Sequence, residues 1–504
     1  MNNKKFQYLF STLPWGDLGG LFAVLFSSLL VACSVSPVTP DEERDEMPPV
    51  FPDYADCMIP PNIAPLNFAL TIPYEEARVR FTAGAEFRWV KAGKEQFTIP
   101  ASFWEKMLRE NTGKDISVKV LVKAAGKWTG YAPFTLSVAE EQVDPYIAYR
   151  LIEPGYELWA QMGIYQRHVE SYRQTPIMEN KLTDDNCMNC HSFCVQDPDR
   201  MLFHMRGKIA CTMFIDGERI EKLNTKTDQT IAPLVYPSWH PSGRFVAFSV
   251  NDTKQAFHMN DPNRIEVYDL QSDVVVYDAE KHEIVTSRLL HGSNVYETFP
   301  TFSPDGRTLY FCSAEYVPEM PAGYDEVRYS LCSVSFDPDS RRFGTQVDTL
   351  YNARTEGRSV SFPRVSPDGK YLMYTLADYG GFSIWHKDSD LYMINLSTGN
   401  HYPLTAANSS DVDSYHSWSS NGRWIVFSSR RIDGLYTRPY FAYIDEDGQA
   451  GKAFLLPQKE VGFYHRFMYS YNIPEFIKGK VKDHRHTFAQ KSRNDRGIDV
   501  KFAE

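Results

Sequence analysis

The stretch Phe302-Ser303-Pro304-Asp305-Gly306-Arg307-Thr308-Leu309-Tyr310-Phe311 decides the fold, because versions of it recur along the chain. Its Pro-Asp-Gly centre is a turn signal, with a glycine free to take positive φ, and an apolar-rich strand follows. Upstream the counterpart is Trp239-His240-Pro241-Ser242-Gly243-Arg244-Phe245-Val246-Ala247-Phe248. Downstream come Val365-Ser366-Pro367-Asp368-Gly369-Lys370-Tyr371-Leu372-Met373-Tyr374 and Trp418-Ser419-Ser420-Asn421-Gly422-Arg423-Trp424-Ile425-Val426-Phe427. The glycines return roughly every sixty residues, long enough for a four-stranded unit. A further strand pair follows each copy, clearest from Asp390 to Gly399. Such sheets cover their faces by stacking around a central channel, so the pattern predicts a β-propeller over residues 199–480. A fifth unit is expected from Met201-Leu202-Phe203-His204-Met205 through Gly217, and strands around Phe441 to Leu456 are expected to close a ring of five or six blades.

Before the repeats, residues 60–142 carry short alternating strands such as Ala77-Arg78-Val79-Arg80-Phe81 and Ile116-Ser117-Val118-Lys119-Val120. They predict an all-β unit of the immunoglobulin or fibronectin sandwich kind, interrupted by a short helix from Pro100 to Asn111. Residues 143–198 read as a connector, with helical character from Trp159 to Tyr172, and residues 481–504 as a C-terminal tail.

Inside that connector lies Cys187-Met188-Asn189-Cys190-His191. This is the C-x-x-C-H spacing of c-type haem attachment, in which two thiols bond the porphyrin and the adjacent imidazole meets the iron. It makes Cys187 and Cys190 the attachment points and His191 the proximal ligand. His204 is the first choice for the distal ligand and Met205 the alternative; adjacent strand residues face opposite ways, so only one of them can serve. His168, Met162 or an open position are the other options. His240, His416 and His465, at or near blade turns, are read as structural. The other cysteines suggest no zinc site, and Cys312 and Cys332 are read as a cross-strand disulfide or two buried thiols.

The N-terminus has the look of an export signal over residues 1–32: Lys4 and Lys5, an apolar run from Leu18 to Ala32, then Cys33. Leu30-Val31-Ala32-Cys33 resembles a bacterial lipobox, which implies lipidation at Cys33. Residues 33–59 hold the cluster Asp41-Glu42-Glu43-Arg44-Asp45-Glu46 and several prolines, and read as a flexible tether. Haem c is attached outside the inner membrane, so an exported protein agrees with the haem motif. The net charge of −11 argues against a nucleic-acid partner.

With Ser303-Pro304-Asp305-Gly306 and Ser366-Pro367-Asp368-Gly369, the repeat resembles the WD-like β-propeller repeat of TolB-type proteins. Adding the lipobox, Asn186 to Phe193, Tyr415 to Asn421 and Ser470 to Phe476, the whole sequence resembles Bacteroidetes lipoproteins described as TolB-like or cytochrome c-related. The resemblance implies a haem protein of the cell envelope, lipid-anchored at the periplasmic face or on the surface of the outer membrane. Three functions compete: an electron carrier passing charge from haem c to an envelope partner, a TolB-like scaffold binding protein or peptide, and a haem-dependent propeller oxidoreductase. The first is the principal expectation. No G-x-S-x-G, P-loop or H-E-x-x-H sequence points to a hydrolase or nucleotide enzyme.

Overall fold

The computed structural model describes residues 37–154 and 161–503. The expected export signal and lipidated Cys33 lie outside the described residues. Six sheets form a closed β-propeller. Their innermost strands are Cys187–Phe193, Leu234–Trp239, Val295–Phe302, Ser359–Val365, Asp413–Trp418 and Ser470–Ile477, and each packs against the next around the ring. The ring thus has six blades.

The predicted turns form as expected. Gly243, Gly306, Gly369 and Gly422 all have φ near +70°, where a side chain is strained. A Cβ on Gly306 would also collide with the His240 imidazole of the preceding blade. The Ser303 hydroxyl donates to Asp305, which in turn accepts from the Arg307 amide, and Ser366 with Asp368 repeats the arrangement.

Three segments depart from expectation. Residues 143–198 are not a connector: Tyr146–Ile152, Met162–His168 and Gln174–Glu179 are the outer strands of the sixth blade, and Cys187–Phe193 opens the first. Tyr146–Ile152 pairs antiparallel with Ser470–Ile477, so residues from both ends of the propeller region share one sheet. The expected helix from Trp159 to Tyr172 is a strand over Met162–His168. It is buried on both faces, which removes the alternation that marks strands in sequence. The tail is docked: Ile498–Asp499 extends the first blade and Lys501–Phe502 the second, covering exposed sheet edges. Likewise the acidic tether is ordered in part, with Glu42–Glu43 paired beside Lys127–Gly130 and Cys57–Ile59 beside Phe134–Val138.

The N-terminal unit is β-rich, as its alternation predicts. Its strands form a seven-stranded sheet that branches at Asp115–Ala124, and helix Ala101–Glu110 packs Trp104, Met107 and Leu108 into the core. That core runs on into the fifth and sixth blades through Tyr149, Trp424 and Tyr471. Trp424 donates its indole N–H to the Glu141 carbonyl (3.0 Å), and the Asp144 carboxylate accepts from the Ser420 hydroxyl and amide (2.6 and 2.7 Å).

Among the described residues the cysteines are free. Cys332 pairs with Phe311 across the strands and Cys312 with Leu331, which sends the two thiols to opposite sheet faces. The cross-strand disulfide is therefore not formed.

Candidate functional site

Every innermost strand carries the same irregularity. Register slips between Asn189 and Ser192, Val235 and Ser238, Thr298 and Thr301, Ser361 and Arg364, and Ser414 and Ser417; the sixth blade has its own slip opposite Ile473. At these bulges Cys190, Tyr236, Phe299, Phe362, Tyr415 and Ile473 all have φ between +49° and +52°. Positive φ is strained for bulky residues and persists only where the surroundings enforce it. The following residues are His191, Pro237, Pro300, Pro363, His416 and Pro474. Cys190-His191 is therefore one of six equivalent channel positions, and its nearest counterpart is Tyr415-His416.

These residues close the middle of the channel. A cavity of about 30 Å³ remains among Cys190, His191, Tyr236, Phe362, Tyr415 and His416. His191 is 2 % exposed, and neither ring nitrogen makes a hydrogen bond. Burial, with Arg150 nearby, pushes its imidazole down to about 3. His416, read from sequence as structural, shares this cavity. Its Nε2 lies 3.2 Å from the Met373 carbonyl, and burial beside Arg364 takes it down to about 3 as well.

The residues of the C-x-x-C-H motif do not fit a haem in this arrangement. An iron ligated by His191 would place a porphyrin against its ring nitrogens, and a group of that size needs a cavity of several hundred Å³. Cys190 is buried at the channel wall, where burial raises its thiol, so it is not a reactive thiolate. The distal candidates have other roles. His204 Nδ1 is 3.1 Å from the Thr212 hydroxyl, and Met205 packs with Met188, Met201 and Met213 in the core of the first blade. Cys187, Cys190 and His191 are thus brought to one strand, but as a propeller strand.

Beyond this constriction the channel widens into a funnel of about 280 Å³, on the face that carries the Ser-Pro-Asp-Gly turns. Sequence reasoning missed it, although its signal was present as a period. Two places past each bulge stand Ser192, Ser238, Thr301, Arg364, Ser417 and Glu475, forming a polar ring. One place further stand Phe193, Trp239, Phe302, Val365, Trp418 and Phe476, forming an apolar ring. Trp239 and Trp418 are fixed by indole N–H bonds to the carbonyls of Ser192 and Arg364 in the preceding blades (3.2 and 3.1 Å). Of the polar ring, only Arg364 and Glu475 carry ionisable groups, and both reach from the funnel into the constriction. Burial pushes the Glu475 carboxyl up to about 8, against the opposing pull of Arg364, and its Oε2 has no hydrogen-bond partner.

No family model matches the protein. A 218-residue stretch is 23 % identical to dipeptidyl-peptidase 5 of Porphyromonas gingivalis, covering 37 % of this chain and 29 % of that protein. The match therefore spans less than a third of this curated relative. Among solved structures, TolB from Acinetobacter baumannii superposes with a TM-score of 0.41 at 13 % identity, covering 75 % of this chain and 85 % of that one. A puromycin-hydrolyzing peptidase of Mycobacterium tuberculosis gives 0.34 at 12 %, over 80 % and 57 %.

Proposed function

We propose that the protein is a binding scaffold whose propeller funnel receives a segment of another polypeptide. The observation that carries this reading is the pair of stacked rings. An apolar ring around a polar floor is the usual make-up of a recognition pocket, in which aromatic walls supply contact area and a few polar groups fix orientation. The funnel is pre-formed, because each wall residue sits on a strand locked into a closed ring, so little ordering opposes binding. The N-terminal unit shares a core with the fifth and sixth blades. An envelope location is part of this proposal and rests on the signal-like N-terminus. Among the described residues no helix is long and apolar enough to cross a membrane.

A random peptide library displayed on phage should yield clones that bind the purified protein. Ser238→Trp, which fills the funnel from its wall without removing a core side chain, should abolish their binding while the thermal midpoint holds. Failure to enrich any clone, or clones that bind Ser238→Trp equally well, would refute the funnel as the site.

The same reading assigns no haem. Protein exported from a host that carries the haem-attachment machinery should give no alkaline-pyridine haemochrome, and Cys187→Ala with Cys190→Ala should leave its visible spectrum unchanged. A haemochrome lost in the double variant would restore the electron-transfer reading and show that the channel opens to admit the group.

A further inference from the structure

We propose that the floor of the funnel is a carboxylate receptor, formed by Arg364 together with Glu475, and that the segment it takes presents a carboxylate to them. The inference rests on the funnel reading above and specifies what that funnel recognises.

Arg364 and Glu475 break the ring of small hydroxyl residues, and they do so on the fourth and sixth blades, with only the fifth between them. Arg364 donates Nη1 to the adjoining Pro363 carbonyl (2.9 Å), and the one carboxyl that acts on its charge is Glu475. Its charge is therefore only partly satisfied, although burial disfavours it. The groups facing it underline this. His416 and His191 are neutral, Cys312 is a buried thiol, and Glu475 is the only carboxyl in the set.

A protonated Glu475 is a donor as well as an acceptor, and its Oε2 has no partner, whereas the Ser417 and Ser238 hydroxyls already donate to Pro474 and Thr301. At neutral pH the donors left at the floor are the Arg364 guanidinium and the Glu475 carboxyl, which together carry one net positive charge. That array matches an anion with two coplanar oxygens, and a guanidinium binds such a group through paired N–H bonds. The aromatic ring above selects an apolar residue beside the carboxylate. Inorganic anions would leave that ring uncovered. The carboxylate can come from the C-terminus of a polypeptide or from an acidic side group.

The test uses three peptides: acetyl-Phe-Pro-Phe with a free carboxylate, the same peptide as its C-terminal amide, and acetyl-Phe-Asp-Phe-amide. Binding is followed by the fluorescence of the funnel tryptophans, Trp239 and Trp418. The free acid or the aspartyl peptide should bind at least about tenfold more tightly than the neutral amide, as expected for a charge-assisted contact. Whichever of the two wins identifies the source of the carboxylate. Arg364→Met should remove that preference and Arg364→Lys should restore part of it. The preference should also weaken as pH passes through about 8, where Glu475 loses its proton, and Glu475→Gln should abolish this pH dependence. If acid, aspartyl and amide peptides bind equally, the funnel stands and the carboxylate receptor falls. If none perturbs the fluorescence up to about 10 mM, a limit below which even weak recognition would register, both fall.

Discussion

Arg438→Met is expected to lower the unfolding free energy by about 3–5 kcal/mol, a loss characteristic of removing one partner from a buried charged network. Arg438 is completely buried, on strand Arg438–Tyr443 of the fifth blade. Its guanidinium donates to the carbonyls of Tyr464, Phe467 and Tyr469 (2.8, 2.8 and 2.7 Å). Those carbonyls belong to the segment that leads into the innermost strand of the sixth blade. Methionine fills much of the volume but strands three acceptors away from water, each worth about 1–3 kcal/mol if left unpaired. Whole-domain stability is only about 5–15 kcal/mol, so the variant should unfold at a much lower urea concentration. A midpoint within experimental scatter of the parent protein would show that these carbonyls find other partners.

The second large effect is with acid. His191, His204 and His416 are 2 %, 2 % and 3 % exposed, and burial takes each imidazole down to about 3. In the unfolded state they titrate near the ordinary value of about 6.5. Between those values the unfolded state binds more protons, so stability falls as pH falls. Each histidine contributes a slope of up to about 1.4 kcal/mol per pH unit, and the three together about 4. Buried carboxyls with raised values, Glu475 and Glu297 among them, oppose this slope, so the histidine share is read by comparing a variant with its parent. His416→Gln, which keeps a donor for the Met373 carbonyl, should gain about 2–3 kcal/mol on the parent protein between pH 6.5 and 4.5, as followed by urea unfolding with far-ultraviolet circular dichroism. Parallel pH profiles for the two proteins would contradict the assignment. Glu297 works in the opposite sense. Burial, with Asp273 nearby, raises it to about 8, so the folded state keeps a proton that the unfolded state loses above about 4.5, and stability declines as pH rises across that interval.

Turn chemistry made the propeller legible. Gly306 and Gly369 occupy positions that other residues tolerate poorly, so the Pro-Asp-Gly pattern repeats where the geometry repeats. The sixth blade was not legible, because its innermost strand Ser470–Ile477 lies more than three hundred residues from its neighbour Tyr146–Ile152, and no periodicity spans that separation. The motif at Cys187 carried two messages. As a spacing of cysteines it signals haem. As Cys190-His191-Ser192-Phe193 it parallels Tyr415-His416-Ser417-Trp418, residue type for residue type at the last three places. The second message depends on comparing bulges, which appear only when the register of both strands is known. The funnel was hidden for a related reason, since its two rings draw single residues from six separate strands.

Closing the ring with Ser470–Ile477 has a consequence for how the protein matures. Until that segment emerges, three strands of one blade lack the partner that would lie against the axis, and the first and fifth blades each present a bare apolar flank. A nascent polypeptide is then a sticky open arc. It should depend on holdase chaperones and snap shut only on release, with the two ends of the propeller region arriving together.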